Sequence, residues 1–181
     1  MIYVALLRGI NVGGNNKIDM KMLKQVFEQA GMESVKTYIN SGNILFKSDN
    51  PSKEKLAAIL EDVIHTHFGL SIKVLIYHAE EFHAIAKVLP DHWLNDKEMK
   101  SDVLFLWEEV NEEKVLDQLF LKPETDRVIY VPGAVLWSVD RDKVTKSGMV
   151  KIVGTEIYRK VTIRNVNTVR KLVDLIHALE E

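Results

Sequence analysis

Two polar stretches hold residue types suited to gripping an anion. The first, "LLRGINVGGNNK" from Leu6 to Lys17, sets three glycines and three asparagines between Arg8 and Lys17. Glycine backbone can approach a ligand closely, and N–H groups beside a helix start favour negative charge. Arg8, Gly9, Asn11, Gly13, Gly14, Asn16 and Lys17 are therefore candidate contacts for a phosphate or carboxylate. The same Asn and Gly residues also suit positive-φ turns whose side chains satisfy the loop's own backbone. The second stretch, "RNVNTVRK" from Arg164 to Lys171, offers Arg164 and Arg170 as bidentate donors, with Asn165, Asn167 and Thr168 to orient a ligand. It has an equally direct structural reading, in which Asn165 or Asn167 caps a helix and the arginines are solvated. "TKSGMVK" adds Lys146, Ser147 and Lys151.

Other chemistries find less support. Gly9 and Gly14 have the spacing of the outer glycines of a P-loop. Asn15 and Asn16 stand where Lys and Ser/Thr belong, and Lys17 arrives two places late. Asn11 occupies the middle glycine position of a dinucleotide fingerprint, so that pattern fails too. His65 and His67 are two apart on a helix and point to different faces, while His78 and His83 lack the one-face spacing of a zinc protease. No metal site and no cofactor are expected. Ser41 lies outside a nucleophile elbow and fits a surface turn. With no cysteine, thiolate catalysis and disulfides are excluded.

Composition bounds the rest. The 181 residues are 46% hydrophobic and 28% charged, enough for one core or two small ones. No run approaches the ~18 apolar residues of a membrane span, and a cytoplasmic location without membrane contact is the expectation. The net charge of −2 conceals an asymmetry. Residues 79 to 140 carry 14 acidic and 6 basic side chains, whereas residues 141 to 171 carry nine Lys/Arg against Asp142 and Glu156. The basic segment suits phosphates or acidic partners.

The elements that position these groups follow from periodicity. Ile2 to Leu7 reads as a strand, and a helix from Asp19 buries Leu23, Val26 and Phe27 before Gly31 stops it. Short strands Val35 to Ile39 and Asn43 to Phe46 flank a hairpin at "NSGN". A helix runs from Pro51 to Gly69, a strand covers Ile72 to Tyr77, and an amphipathic helix ends at Pro90. The second half repeats the order. Its strand is Asp102 to Trp107, with helices at Glu112 to Phe120 and near Lys146 to Val153. Two strands surround "VPGA", another spans Val161 to Arg164, and a helix closes the chain. "YINSGNILF" lies over "IYVPGAVLW", pairing Gly42 with Gly133, and "KVLIYHAEEFHAIAKVL" lies over "KVTIRNVNTVRKLVDLI". Phe105, Trp107 and Trp137 sit on strands apolar on both faces and fit a covered core better than a base-stacking surface. The fold class is therefore α+β, two ferredoxin-like βαββαβ plaits in tandem by internal duplication, each followed by an extra helix, at residues 1–90 and 101–181. On this alignment the first half carries roughly nine extra residues between its first strand and its hairpin, falling on Gly9 to Ile18. Such a plait brings that loop to the hairpin residues Asn40, Ser41 and Asn43, which join the candidate ligand contacts. The second half builds the same connection without glycine, which argues that the loop serves function rather than folding.

The motifs "ALLRGINVGGNNKIDM", "TYINSGNILF" and "VTIRNVNTVRKL" together resemble the bacterial family known as domain of unknown function 1697, over essentially the whole chain. The resemblance implies a single-chain α+β fold of this length and no catalytic assignment. Three functions stay open: a binding module for a phosphate-bearing ligand such as a nucleotide or nucleic acid, an enzyme acting on a small phosphorylated or carboxylated metabolite, and a protein-interaction adaptor. The enzyme reading lacks a general base within either motif except Asp19.

Overall fold

The computed structural model describes every residue, Met1–Glu181. The chain forms an α+β protein with two four-stranded antiparallel sheets. It groups into two compact units, Met1–Phe82 with Leu172–Glu181, and His83–Lys171. The first thus contains the closing ten residues of the chain as well as the N-terminal portion, where the sequence reading has a simple division at residues 1–90 and 101–181.

In the first unit, β1 (Ile2–Leu7), β2 (Glu33–Tyr38), β3 (Asn43–Lys47) and β4 (Val74–His78) lie in the order β2-β3-β1-β4. Helix α1 (Met20–Gln29) forms because Leu23, Val26 and Phe27 repeat at helical spacing on one buried face. The Asp19 carboxylate accepts from the N–H groups of Lys21 and Met22, and Gly31, at φ 98°, lets the chain leave the helix. Helix α2 (Lys53–Phe68) is capped by Ser52 and ends at Gly69 in the left-handed region, with Leu56, Leu60 and Ile64 as its buried stripe. These faces close over Tyr3, Ala5, Leu7, Ile44, Phe46 and Ile76 in one core. Each fully buried aliphatic side chain contributes about 1.5–3 kcal/mol.

Helix α3 (Ala79–Val88) follows, then the second sheet: β5 (Met99–Leu106), β6 (Arg127–Val131), β7 (Ala134–Asp140) and β8 (Val161–Asn165), in the order β6-β7-β5-β8. Helix α4 (Val166–Glu180) closes the chain. The core of this unit gathers Leu104, Leu106, Val115, Leu119, Val135, Trp137, Val139 and Ile157. Phe105 is fully buried and Trp137 is 3% exposed, so neither forms a stacking surface.

The two helices expected between these strands are not α-helices. Glu108–Val110 and Glu113–Gln118 are 3₁₀ turns, as are Arg141–Lys146, Gly148–Lys151 and Ile157–Lys160. Within Glu113–Gln118 only Val115 is buried, too little apolar surface to hold an α-helix in place. The later region mixes β-branched Val144, Thr145, Val150 and Val153 with Gly148 and Gly154, all poor helix formers. Gly148 is also pressed against the main chain of Phe120, where a Cβ would strike the carbonyl oxygen.

Equivalent backbone bonds recur in the two sheets. Leu7 donates to Gly42 as Leu106 donates to Gly133, and Arg8 donates to Lys73 as Trp107 donates to Lys160. These bonds match Leu7, rather than Leu6, with Leu106 and reduce the first half's surplus to about eight residues.

Candidate functional site

The Gly/Asn loop is a small ordered hairpin. Asn11 N–H donates to the Asn16 carbonyl and Asn15 N–H to the Val12 carbonyl, with Gly13 and Gly14 between them at φ 56° and 80°. Two consecutive positive-φ residues make a type I′ turn, which glycine adopts without steric cost. Ile10 and Ile18, 1% and 5% exposed, sink the two ends of the loop into the first core. Between them the chain from Val12 to Lys17 stands in solvent.

Asn11 is the knot. Its Nδ2 donates to the carbonyls of Ile18 at 3.1 Å and Asn40 at 2.8 Å, and its Oδ1 accepts from Ile18 N–H at 2.8 Å. Asn16 Nδ2 donates to the Gly9 carbonyl at 2.8 Å. Both asparagines are in the left-handed region, at φ 53° and 51°. The loop and the β2–β3 hairpin therefore meet as the sequence suggests, through side chains that hold the loop's shape. Asn43 is fully buried and donates to the Tyr38 carbonyl and to Ser41 Oγ. Arg8 is half-buried, with its N–H on the Lys73 carbonyl.

What faces solvent carries two lysines and one carboxylate, Asp19. A depression of about 710 Å³ is lined by Asn11, Gly14, Lys17, Ile18, Asp19, Met20, Lys21 and Asn40. Lys17 and Lys21 are exposed and belong to no ion pair, whereas Lys24, Lys53, Lys100 and Lys160 each have a carboxylate partner. The N–H groups of Gly13, Gly14 and Lys17 make no intramolecular hydrogen bond. The start of α1, by contrast, is already served by the Asp19 carboxylate at 2.8 Å from Lys21 N. An incoming anion would meet the lysines and the turn amides, not the helix end. Lys21 escapes the sequence reading because it lies beyond the glycine run; its signal is its place two residues after a capping Asp.

The second stretch lies in the other unit as far as Lys171, and its polar atoms are largely engaged. Arg164 is 7% exposed, with Nη1 donating to Thr162 Oγ1 at 2.8 Å and to the Ile163 carbonyl at 3.0 Å. Burial pushes its guanidinium down to about 10, still charged at neutral pH. Asn165 Oδ1 accepts from Thr168 N–H at 3.0 Å and caps α4. Thr168 is buried. Asn167 Nδ2 donates to the Asn95 carbonyl, and Arg170 Nη2 to the Pro90 carbonyl, so both fasten the segment after α3 to the start of α4. No helix is long and apolar enough to cross a membrane.

A strand-first α+β chain with a glycine-asparagine hairpin after β1 defines a class, and comparison gives the class its family. Residues 1–137 match the family described as protein of unknown function (DUF1697), and the chain belongs to it. A similar solved structure is that of the conserved bacterial protein SP0830 from Streptococcus pneumoniae. It is 32% identical, with a TM-score of 0.81 over 96% of this chain and 97% of that one. No curated protein matches the chain.

Proposed function

We propose that the protein is a binding module for a phosphate-bearing ligand, a nucleotide or nucleic acid, held at the depression beside the Gly/Asn hairpin. One observation carries the reading: two unpaired lysines, Lys17 and Lys21, flank a hollow bordered by a pinned loop whose Gly14 and Lys17 amides are free. Charged donors and backbone amides fixed before binding are what phosphate recognition needs, since little ordering entropy is then lost. Asn11 and Asn16 build this site from behind, and the Arg164 to Arg170 stretch is left out because its side chains hold α4 and its neighbours. Calorimetry with mono- and dinucleotides and short oligonucleotides tests the reading. Binding should weaken about tenfold or more in Lys17→Ala/Lys21→Ala while the melting temperature holds. Absence of binding by every ligand, or binding indifferent to the double substitution, rejects it.

We also read the two sheets as tandem ferredoxin-like plaits from a duplicated ancestor, in a cytoplasmic protein. The shared strand order and the matched bonds at Gly42 and Gly133 support this. A superposition that failed to bring Leu7 and Lys73 onto Leu106 and Lys160 would contradict it.

A further inference from the structure

The basic segment after β7 is not absorbed by the loop site, and the fold gives part of it a surface of its own. Lys122, from the connection before β6, converges with Lys143 and Lys146 around a second depression of about 390 Å³, completed by Thr125 and Glu124. None of the three lysines belongs to an ion pair, and Glu124 is the one carboxylate in the lining. Three like charges gathered without partners repel one another, an arrangement that an anion relieves.

The convergence rests on a buried scaffold. Asp126, 7% exposed, accepts from Ser147 Oγ at 2.6 Å and Trp137 Nε1 at 2.9 Å through Oδ1, and from Lys122 N–H at 2.9 Å through Oδ2. One carboxylate thus anchors the backbone of Lys122 and the residue next to Lys146. Beside these residues in the chain stands Phe120, 52% exposed and at φ 53°, a conformation costly for a bulky side chain. Its main chain packs on Gly148, two residues after Lys146. Phe120 thus presents an exposed side chain two residues before Lys122 in the chain, and an aromatic face combined with cations is the pairing that holds a base and its phosphates.

We propose that this surface of the second unit is a nucleotide-unit subsite, with phosphates on Lys122, Lys143 and Lys146 and a base against Phe120. The unit comes from a free nucleotide or from a single-stranded nucleic acid. The proposal stands apart from the loop reading, because it uses other residues in the other unit.

The test titrates the full chain with ATP, inorganic tripolyphosphate and an oligothymidylate of about ten nucleotides, following amide shifts by NMR. Shifts should centre on Phe120, Lys122, Thr125, Lys143 and Lys146. Lys143→Ala/Lys146→Ala should weaken all three ligands about tenfold or more and lower the single-stranded oligonucleotide's salt slope by about 1.4. Phe120→Leu should weaken ATP and the oligonucleotide roughly tenfold and leave tripolyphosphate unchanged. Tighter binding of the oligonucleotide than of ATP identifies a nucleic acid as the source; the reverse identifies a free nucleotide. Lys17→Ala/Lys21→Ala serves as the control, and loss of every shift in that variant alone would assign all binding to the loop and overturn the subsite. Unperturbed amides at Lys122, Lys143 and Lys146 would overturn it too.

Discussion

Asn11 Nδ2 lies 2.8 Å from the Asn40 carbonyl, joining the loop after β1 to the β2–β3 hairpin across 29 residues of sequence. The second unit uses the same residue type for the same join. Asn111 Oδ1 there accepts from Gly133 N–H at 2.7 Å and from the Tyr130 hydroxyl at 3.0 Å. An asparagine can donate and accept at once, so one side chain satisfies both a loop and a turn. In the first unit the bond also fixes the edge of the depression beside the loop, which couples the loop's stability to the proposed binding.

Replacing Asn11 separates its backbone from its side-chain role. Asn11→Ala removes three hydrogen bonds and places a Cβ-bearing residue without polar compensation at φ 53°. It should cost about 2–3 kcal/mol in urea unfolding. Asn11→Gly loses the bonds and relieves the strain, so it should cost about 1 kcal/mol less. Equal losses in the two variants would show that the left-handed backbone is not under strain.

Two glycines of the second unit should respond differently to a single added methyl group. At Gly148 a Cβ would run into the Phe120 carbonyl, so Gly148→Ala forces the two segments apart and should cost at least about 2 kcal/mol. Gly154, at φ 88°, faces open space, and Gly154→Ala carries only the backbone penalty, about 1 kcal/mol. Thermal melts of the two variants give the ranking, and the reverse order would contradict the close packing at Phe120.

Much of this architecture is readable before any coordinates. The bounds of β1 follow from an apolar run that stops at Arg8, and Gly31 and Gly69 end α1 and α2 where the periodicity does. The meeting of the loop with the hairpin follows from strand order alone. The 3₁₀ turns between β5 and β8 are hidden because Val115 and Leu119 have helical spacing, while what holds them is packing from distant segments. Which asparagine builds and which is free to bind is also hidden. Asn11 is defined by Asn40 and Ile18, and Asn165 by the helix it caps, so residue type announces a turn but not its partner. Asp126 is the clearest omission, because its meaning lies in Trp137 and Ser147, 11 and 21 residues further on.

Asp126 should be among the most sensitive polar positions. Asp126→Ala leaves the Trp137 indole N–H, the Ser147 hydroxyl and the Lys122 amide without their acceptor. A loss of about 3–5 kcal/mol is expected, with a changed near-ultraviolet signal from Trp137. Asp126→Asn keeps the shape but turns a donor toward one of these three donors, so an intermediate loss of about 2 kcal/mol is expected. If Asp126→Asn melts like the parent, the carboxylate's charge is not what anchors Lys122 and Ser147.

Asp102 supplies a pH signature of the opposite kind from an ordinary surface acid. It is 7% exposed on β5, and burial raises its pKa above the usual carboxylate value despite Lys100 at 3.1 Å and the more distant Arg141. The folded state therefore holds the Asp102 proton to higher pH than the unfolded state, whose value is about 3.9. Between those two values the folded protein binds more protons, so this group's contribution to stability is complete below the unfolded value and declines as pH rises through the folded one. Asp102→Asn cannot ionise and escapes that decline. In urea denaturation from acid to neutral pH, its stability relative to the parent should improve steadily as the pH is raised and level off once Asp102 is fully charged. A difference that stays flat across the series would mean that Lys100 and Arg141 balance the burial, and one that falls with pH would mean that they outweigh it.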